Sequence, residues 1–408
     1  MSFNQYTWDL YKQTTIGIEM IKYFSDAGGY VLFKDYCPYA NFIPEDLYND
    51  WLENIYCYGV SDYDHPSSLE EAKDLYISLI TLGIRVEGQQ WLPANDFKNM
   101  LGIIQPMSYV LSQFAPEYFF PYLFLCRIFE LNKIADFFNI DLPNIPKRTD
   151  YKGRCMYYWE LCEVFYLFRK ENGLSPADLW SFLYDFAPNN LPSEKIDMPK
   201  PSQVWFIGGR LYQEDKSLES KFWQSSPETK KGDILVHYET SPISAITCIE
   251  TSLTDGVIDP LFRYYGCIYI GNRINIPHIT LKELQTDEYF FKHPLVRKNF
   301  QGVNGWSVNS ENYSELLRMI KTKGFDIEVL PKLYAPTLPK DVIIEYEHDV
   351  EQQLLEPLLN SMGWYENKDF IRQLPIQAGR GHRIFPDYAL HYGNKPNEER
   401  AKVLIEAK

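Results

Sequence analysis

Two strand-like segments at the C-terminus constrain the fold of this chain more than any other feature. The first covers residues 382–392 and the second residues 403–408, with Gly, Asn and Pro between them as in a hairpin loop. Side chains alternate between the two faces of a strand, so Glu406 and Lys408 project to the same face. An antiparallel pairing of the two segments brings Asp387 close to Glu406.

This arrangement places two carboxylates and an ammonium at one point on a sheet. Mg²⁺ prefers carboxylate oxygens, keeps several waters and takes further ligands from phosphate. The bound metal activates a water and neutralises charge in phosphoryl transfer. Lys408 can orient or deprotonate that water. Asp387 and Glu406 are therefore predicted to be metal ligands, with Mg²⁺ or Mn²⁺ as the cofactor.

The residues Pro386-Asp387 and Glu406-Ala407-Lys408 resemble the PD-(D/E)xK nuclease signature. The sequence around them is most similar to the nuclease domain at the N-terminus of type I restriction motor subunits. The resemblance implies a restriction-endonuclease-like α/β core over residues 338–408. An alternative is that such short motifs match by chance.

A helical pattern precedes these strands. Apolar residues recur at helical spacing, and Gly363 follows them as a stop signal; the stripe consists of Val350, Leu354, Leu355, Leu358 and Leu359. In the nuclease family a helix at this position adds a carboxylate to the metal site. The resemblance gives that role to Glu347, with Glu351 in reserve. It also suggests phosphate contacts from Gln373 and from Arg380 or Arg383.

The sequence given stops at Lys408, whereas the family's sheet continues beyond the corresponding lysine. We therefore expect that the nuclease core is incomplete at its C-terminal end. The missing cover of the sheet would come from a longer chain, from another part of this one or from a partner. The expected behaviour is binding of target DNA with poor cutting.

The formal net charge of −15 argues against extensive contact with a phosphate backbone. The acidic residues, however, are concentrated in residues 1–200, with 27 Asp and Glu against 16 Lys and Arg, whereas residues 201–324 carry 14 of each. The seven cysteines include no Cys-x-x-Cys pair. They suit a reducing cytoplasm and indicate neither a disulfide framework nor a zinc site. Neither a signal peptide nor a membrane partner is indicated.

Residues 1–195 are predicted to be a helical domain of unknown role. Ser68-Leu-Glu-Glu71 and Ser175-Pro-Ala-Asp178 are helix starts, and helical spacing covers residues 95–114 and 156–169. A helix-turn-helix around residue 175 is disfavoured, because its second helix, residues 179–186, has no basic residue for DNA. Homodimerisation or binding of a partner protein would suit this domain.

After a proline-rich linker at residues 191–201, the pattern changes to short strands. Strands are predicted at residues 204–207, 234–238, 245–250 and 266–270, and a helix at 310–321. Residues 201–324 are similar to an EVE domain, a PUA-like β-barrel. The residues that carry this similarity are Trp205, Trp223, the Lys-Gly-Asp turn at 231–233 with Tyr238, and Phe300-Gln301-Gly302.

The EVE resemblance implies binding of a flipped, chemically modified base. Aromatic walls and hydrogen bonds to the base edge offset the cost of flipping. The candidates for such contacts are Trp223, Tyr238, Ser241, Ser244 and Trp306, with Arg297 as a phosphate contact. For each aromatic residue, core packing is the competing interpretation.

The overall prediction is a multidomain α plus β protein: a helical domain, an EVE-like barrel and a nuclease core. Together these modules resemble a modification-dependent restriction endonuclease, a bacterial antiviral defence enzyme that cleaves DNA carrying modified bases. One alternative is a non-catalytic reader of modified nucleic acid with a nuclease-like scaffold. Another is an RNA-directed nuclease. No nucleotide-binding Gly-x-x-x-x-Gly-Lys-Ser/Thr loop is present in the sequence, so the chain carries no motor of that type.

Overall fold

A computed structural model describes residues 3–37, 40, 43–86, 89–192, 198–210, 220–334, 342–379, 382–390, 401 and 403–407. The chain mixes helices with a curled, half-barrel sheet. It divides into two compact units. The first comprises Met1–Lys195 with Val257–Cys267, and the second comprises Ile196–Gly256 with Ile268–Lys408.

The first unit is largely helical, as predicted. Its helices are Gln5–Gln13, Thr15–Asp26, Gly29–Tyr36, Glu45–Ile55, Leu69–Leu82, Phe97–Met100, Ile104–Phe114, Ile128–Phe138, Tyr151–Glu171, Pro176–Ser181 and Ala187–Asn190, with π-helical turns at Tyr56–Val60 and Phe182–Phe186. The predicted helix start at Ser175 is confirmed, and Ser175 and Asp178 form a capping box there, in which each side chain binds the other residue's backbone N–H. These contacts satisfy backbone donors that a helix start leaves without partners.

Three features of this unit differ from the sequence expectations. The predicted helix over residues 95–114 is broken into two, Phe97–Met100 and Ile104–Phe114. A small antiparallel hairpin of β1 (Ile84–Val86) and β2 (Gln89–Leu92) was not predicted. At the predicted helix start at Ser68, the Ser68 side chain accepts from the Glu71 N–H, but the Glu71 carboxylate accepts from Ser67 instead of Ser68. Among the described residues, no helix is long and apolar enough to cross a membrane.

Segment 257–267 belongs to the helical unit although it lies within the sequence of the middle region. The buried Arg154 donates through Nε to the Pro260 carbonyl at 2.8 Å and through Nη2 to the Phe262 carbonyl at 2.7 Å. Asp259 accepts from the Cys126 N–H at 3.1 Å. Because Arg154 is 1% exposed, these carbonyls provide the polar partners that a buried guanidinium requires.

The middle region contains every strand that the sequence predicted there. The strands are β3 (Val204–Gly209), β4 (Ser220–Gln224), β5 (Ile234–Glu239), β6 (Ala245–Ser252), β7 (Val257–Ile258), β8 (Gly266–Thr280) and β9 (Trp306–Val308). Their order is β4-β8-β6-β5-β3-β9, with β7 beside the start of β8. The β3–β5 pair is parallel, and the β3–β9, β5–β6, β6–β8 and β7–β8 pairs are antiparallel.

Helices follow and partly interrupt these strands. They are Leu281–Thr286, Pro294–Arg297 and Ser310–Thr322, with 3₁₀ turns at Phe290–Lys292 and Ile327–Val329. The predicted helix at 310–321 is confirmed to within one residue. Tyr313, Leu316 and Ile320 of this helix are buried in one hydrophobic core with Val204 and Val236 of the sheet.

The sheet has a second apolar face, which follows from the alternation of side chains along its strands. Trp205 and Ile207 project away from the helix-covered core and pack with Leu235, Ile268 and Ile270. Trp223 packs against this smaller cluster. We call this side the inner face and the helix-covered side the outer face.

Asp233, in the Lys-Gly-Asp turn, ties the starts of β3 and β5 together. Its carboxylate accepts from the Ser202 hydroxyl, the Gln203 N–H, the Trp205 indole N–H and the Lys230 N–H, at 2.8–3.2 Å. Burial raises the pKa of Asp233 to about 6, against the lowering effect of these hydrogen bonds. The turn is therefore a structural element in which one carboxylate satisfies several buried donors.

The C-terminal region follows in the same unit. Its helix runs as Glu347–Val350, a π-helical turn Glu351–Leu355 and Glu356–Ser361, after which Gly363 has the positive φ of 76° expected for a helix stop. Its strands are β10 (Phe370–Arg372), β11 (Ile376–Gly379), β12 (His382–Ile384), β13 (Tyr388–Leu390) and β14 (Val403–Ile405). They form a β10-β13-β14 sheet and a separate β11–β12 pair.

The predicted strand 382–392 is therefore not continuous. Proline has no N–H to donate to a ladder, so Pro386 separates β12 from β13. The predicted strand 403–408 ends at Ile405, because the Ala407 N–H donates to the Asp387 side chain at 2.7 Å. The predicted hairpin loop at 391–400 lies outside the described residues.

Two ion pairs join the C-terminal region to loops of the sheet. Lys230 pairs with Asp369, and both side chains are largely buried. Lys368 pairs with Asp255 at 2.6 Å, closer to solvent. The loops of the sheet thus supply Lys230 and Asp255, and the C-terminal region supplies Lys368 and Asp369.

We predict that Asp233→Asn destabilises the protein by about 3 kcal/mol, because an amide nitrogen cannot accept from the donors that converge on this carboxylate. Chemical denaturation of the full chain measures the change. Asp326→Asn is the matched control, since Asp326 accepts a backbone hydrogen bond from Glu328 in an exposed turn. Equal effects of the two substitutions would contradict the role given to Asp233.

Candidate functional site

The β13–β14 pairing bears on the two carboxylates that the sequence predicted to meet, because Asp387 precedes β13 and Glu406 follows β14. Tyr388 lies opposite Ile405 in an antiparallel register, and Asp387 and Glu406 are the chain neighbours of these two residues, just beyond the paired strands. Asp387 is half-buried and Glu406 is exposed. That these two carboxylates hold one metal ion stays a prediction.

Asp387 is held in place by two donors. Its Oδ2 accepts from the Ala407 N–H at 2.7 Å, and its Oδ1 accepts from the Gln373 side-chain amide at 3.2 Å. Gln373 adopts a positive φ of 51°, and its own N–H donates to the Pro386 carbonyl at 3.1 Å. A carboxylate oxygen can accept two hydrogen bonds, so each oxygen of Asp387 retains capacity for a cation.

Arg372, at the end of β10, anchors the preceding helix beside this site. Its guanidinium lies 3.9 Å from the Glu351 carboxylate and 3.5 Å from that of Glu366, and it also pairs with Glu356. The Cζ atom of Arg372 lies 5.4 Å from the centroid of the Tyr388 ring. One arginine thus pairs with three carboxylates and links the helix to Tyr388, the residue that follows Asp387.

Glu347 is not grouped with Asp387 and Glu406 among the described residues. Glu347 is exposed at the first turn of the helix, and the reserve residue Glu351 is engaged by Arg372. Within the described part of the chain, Glu347, Asp387 and Glu406 do not form a group with all ligand atoms within 4.8 Å. The metal role of Glu347 therefore stays a prediction.

Of the predicted basic residues, Arg383 is exposed on the β11–β12 pair, where its Nε lies 3.4 Å from the Gln377 side-chain oxygen. That pair is separate from the sheet that carries Asp387. Lys408 and Arg380 lie outside the described residues.

The candidate base-binding residues are divided between the two faces of the large sheet. Trp223 is half-buried on the inner face, where its indole N–H donates to the Asn304 side-chain oxygen at 3.2 Å. Asn304 also binds the backbone of Gly208. The ring of Trp223 meets that of His237 edge-on, with 4.8 Å between centroids.

Tyr238 and Trp306 lie on the outer face. Tyr238 is 3% exposed and stacks on Phe300 at 4.0 Å, while Trp306 is half-buried opposite Phe206. Tyr238 and Trp223 therefore do not face a common site, because successive side chains of a strand alternate and Tyr238 follows His237.

The other residues predicted to contact nucleic acid in this region are Ser241, Ser244 and Arg297. The Ser244 hydroxyl is hydrogen-bonded to Tyr238. The Ser241 carbonyl accepts from Arg210 Nε at 3.2 Å. Arg297 is exposed at the end of a short helix.

A buried polar cluster on the inner face was missed by the sequence analysis. His237 Nδ1 lies 2.9 Å from Glu250 Oε2, and Arg273 donates to Glu250 Oε1 at 2.7–2.8 Å. Burial raises the pKa of Glu250, but the hydrogen bonds and charges of His237 and Arg273 outweigh it and lower the pKa below its ordinary value.

Cys248 lies in the same cluster, and burial followed by the Glu250 charge raises the pKa of its thiol to about 12. The spacing of positions 237, 248 and 250 matches no sequence motif. Only the strand register reveals the cluster.

No protein-family model and no curated protein matches the chain. The NMR structure of Rpa0253 from Rhodopseudomonas palustris is 14% identical, with 29% of this chain and 94% of that chain covered at a TM-score of 0.26. A hypothetical protein from Leishmania major is 12% identical, with 30% and 98% covered at a TM-score of 0.25. Similarities at this level carry no inference about fold or function.

We predict that Arg372→Met destabilises the C-terminal region by about 1–2 kcal/mol, since it removes the cation shared by Glu351, Glu356 and Glu366 while retaining the apolar stem. Hydrogen exchange should report faster opening of helix residues 347–361 and of β13. Arg383→Met, on an exposed arginine, is the control and should leave exchange unchanged. Identical protection in both variants would show that the cluster does not anchor the helix.

Proposed function

We propose that the chain is a metal-dependent DNA endonuclease of a bacterial defence system, directed to modified DNA by its middle region. The observation that carries the proposal is the Asp387–Glu406 pair at the end of β13 and β14. Two carboxylates are sufficient protein ligands for Mg²⁺ when phosphate and water complete the shell. In this proposal residues 338–408 form a PD-(D/E)xK nuclease core and residues 201–324 form an EVE-like barrel.

The preorganisation of Asp387 supports this function. A metal-binding carboxylate must hold its orientation when metal and substrate bind, and hydrogen bonds to that carboxylate provide the constraint. The Ala407 N–H and the Gln373 amide supply such bonds from two different segments. Glu406 is exposed beside Asp387 and can complete the pair without a buried, unpaired charge.

In the proposed reaction Asp387 and Glu406 would hold a metal ion, which would supply Lewis-acid chemistry at the scissile phosphate. Lys408 positions the attacking water, which displaces the 3′-oxygen of the DNA backbone. Gln373 serves this step indirectly in our proposal, as a positioning residue for Asp387. The phosphate contacts remain assigned to Arg380, Arg383 and Arg297.

The middle region offers one aromatic side chain suited to base stacking on its inner face. Trp223 is fixed by Asn304 and is half-buried. Because Tyr238 is packed against Phe300, we assign the stacking role to Trp223. Stacking of a base on an aromatic ring contributes about 1–3 kcal/mol to binding.

We predict that Asp387→Asn and Glu406→Gln each abolish cleavage and leave DNA binding intact, since both remove metal ligands and neither touches the inner face. Cleavage is measured with Mg²⁺ and Mn²⁺ on duplexes carrying methylated, hydroxymethylated or glucosylated cytosine, and on plain duplex. Glu345→Gln, an exposed carboxylate of the same region, is the matched control and should cut normally. Cutting by both site variants at the wild-type rate would refute the nuclease assignment.

We predict that Trp223→Ala weakens binding to the preferred modified duplex by about 1–3 kcal/mol and changes binding to plain duplex little. Fluorescence anisotropy at fixed salt measures both affinities. Trp306→Ala removes a half-buried tryptophan from the outer face and serves as the comparison. Loss of modification-specific binding in Trp306→Ala but not in Trp223→Ala would move the base-binding site to the outer face.

A further inference from the structure

The inner face of the large sheet carries three side chains of types that bind transition metals. His237 of β5 lies opposite Cys248 of β6, and a register irregularity follows His237 on its strand. Residues opposite each other on antiparallel strands share a face, with their Cβ atoms about 5 Å apart. Glu250 lies two residues beyond Cys248 and so faces the same side.

The three side chains are close enough to share one ion. One ligand atom from each of His237, Cys248 and Glu250 lies within 4.8 Å of the other two. Ligand atoms around tetrahedral Zn²⁺ are about 3.3–3.8 Å apart, given bond lengths of about 2.0–2.3 Å. A movement of at most about 1–1.5 Å, within reach of side-chain rotation, brings the three ligand atoms to the spacing around a tetrahedral ion.

A second observation concerns the imidazole of His237. The side chain is 0% exposed, and its Nε2 has no hydrogen-bond partner among the described residues. A buried polar atom without a partner costs about 1–3 kcal/mol, so native structures rarely retain one without a reason. Rotation of the ring about its bond to Cβ can present either nitrogen to an ion.

The charges around the cluster are compatible with a cation. Arg273 and His237 both bind the Glu250 carboxylate. Cys248 becomes a ligand when its thiol proton leaves for solvent and the sulfur retains the electron pair for the metal. The ion then supplies the positive charge that offsets the buried thiolate.

We propose that His237, Cys248 and Glu250 form a binding site for a Zn²⁺-class transition-metal ion. Thiolate and imidazole ligands favour Zn²⁺ over Mg²⁺, which prefers an all-oxygen shell. The three residues are at most 2% exposed, so the ion clamps β5 to β6 and takes no part in substrate chemistry. This site is separate from the Asp387–Glu406 pair and does not depend on the proposed nuclease activity.

The test uses the full chain, purified with chelator and then titrated with Co²⁺ as a spectroscopic probe. The expected result is a thiolate-to-cobalt charge-transfer band that saturates at one equivalent and is displaced by Zn²⁺. Zn²⁺ alone should raise the thermal unfolding temperature, because a ligand of the folded state stabilises it by mass action. Absence of the band and of the thermal shift in the wild-type chain overturns the proposal.

Variants identify the ligands. Cys248→Ser should remove the band, whereas Cys267→Ser, which changes another buried thiol, should retain it. Glu250→Gln preserves the side-chain shape and should weaken Co²⁺ binding at least about tenfold. Asp387→Asn should leave the band unchanged. A band that survives Cys248→Ser places the ion elsewhere and refutes the site.

Discussion

The hydrogen bonds that converge on Asp233 are the constraint on which much of the second unit depends. A single carboxylate binds the chain just before β3, the indole of Trp205 within β3 and the turn that opens β5. These two strands are the parallel pair at the centre of the sheet. The same turn presents Lys230 to Asp369, so the geometry of the sheet also determines where the C-terminal region attaches.

Local patterns in the sequence predicted the elements of this fold well. The strands β3, β5 and β6 are rich in apolar residues, and the structure extends each predicted strand by one or two residues. The C-terminal carboxylates Asp387 and Glu406 were predicted to meet because a fixed strand alternation and a known motif coincide, and their joint role stays a prediction. Elements with weak signals, such as the β1–β2 hairpin, lack the length that makes periodicity informative.

Features that depend on strand register or on tertiary contacts could not be predicted from the sequence. Tyr238 and Trp223 are both aromatic residues of strands, and only the pairing of those strands places them on opposite faces. The His237, Cys248 and Glu250 cluster arises from two strands and a register shift. Motif spacing records neighbours along one chain segment, and it contains no information about a residue across a sheet. The break at Pro386 is the opposite case. Proline disfavours the interior of a strand, and this local rule predicts the break that the structure shows. The strand-like residues on both sides nevertheless led to the prediction of one continuous strand.

The ion pairs Lys230–Asp369 and Lys368–Asp255 bear on the distance between the sheet and the C-terminal region. Two attachments with opposite polarity resist both sliding and rotation, since either motion brings like charges together. Under the proposed function, the tryptophan that stacks on a base and the carboxylates that hold the metal then belong to one frame. Such a frame acts as a ruler along the duplex: strand scission would occur at a constant number of nucleotides from the modified base.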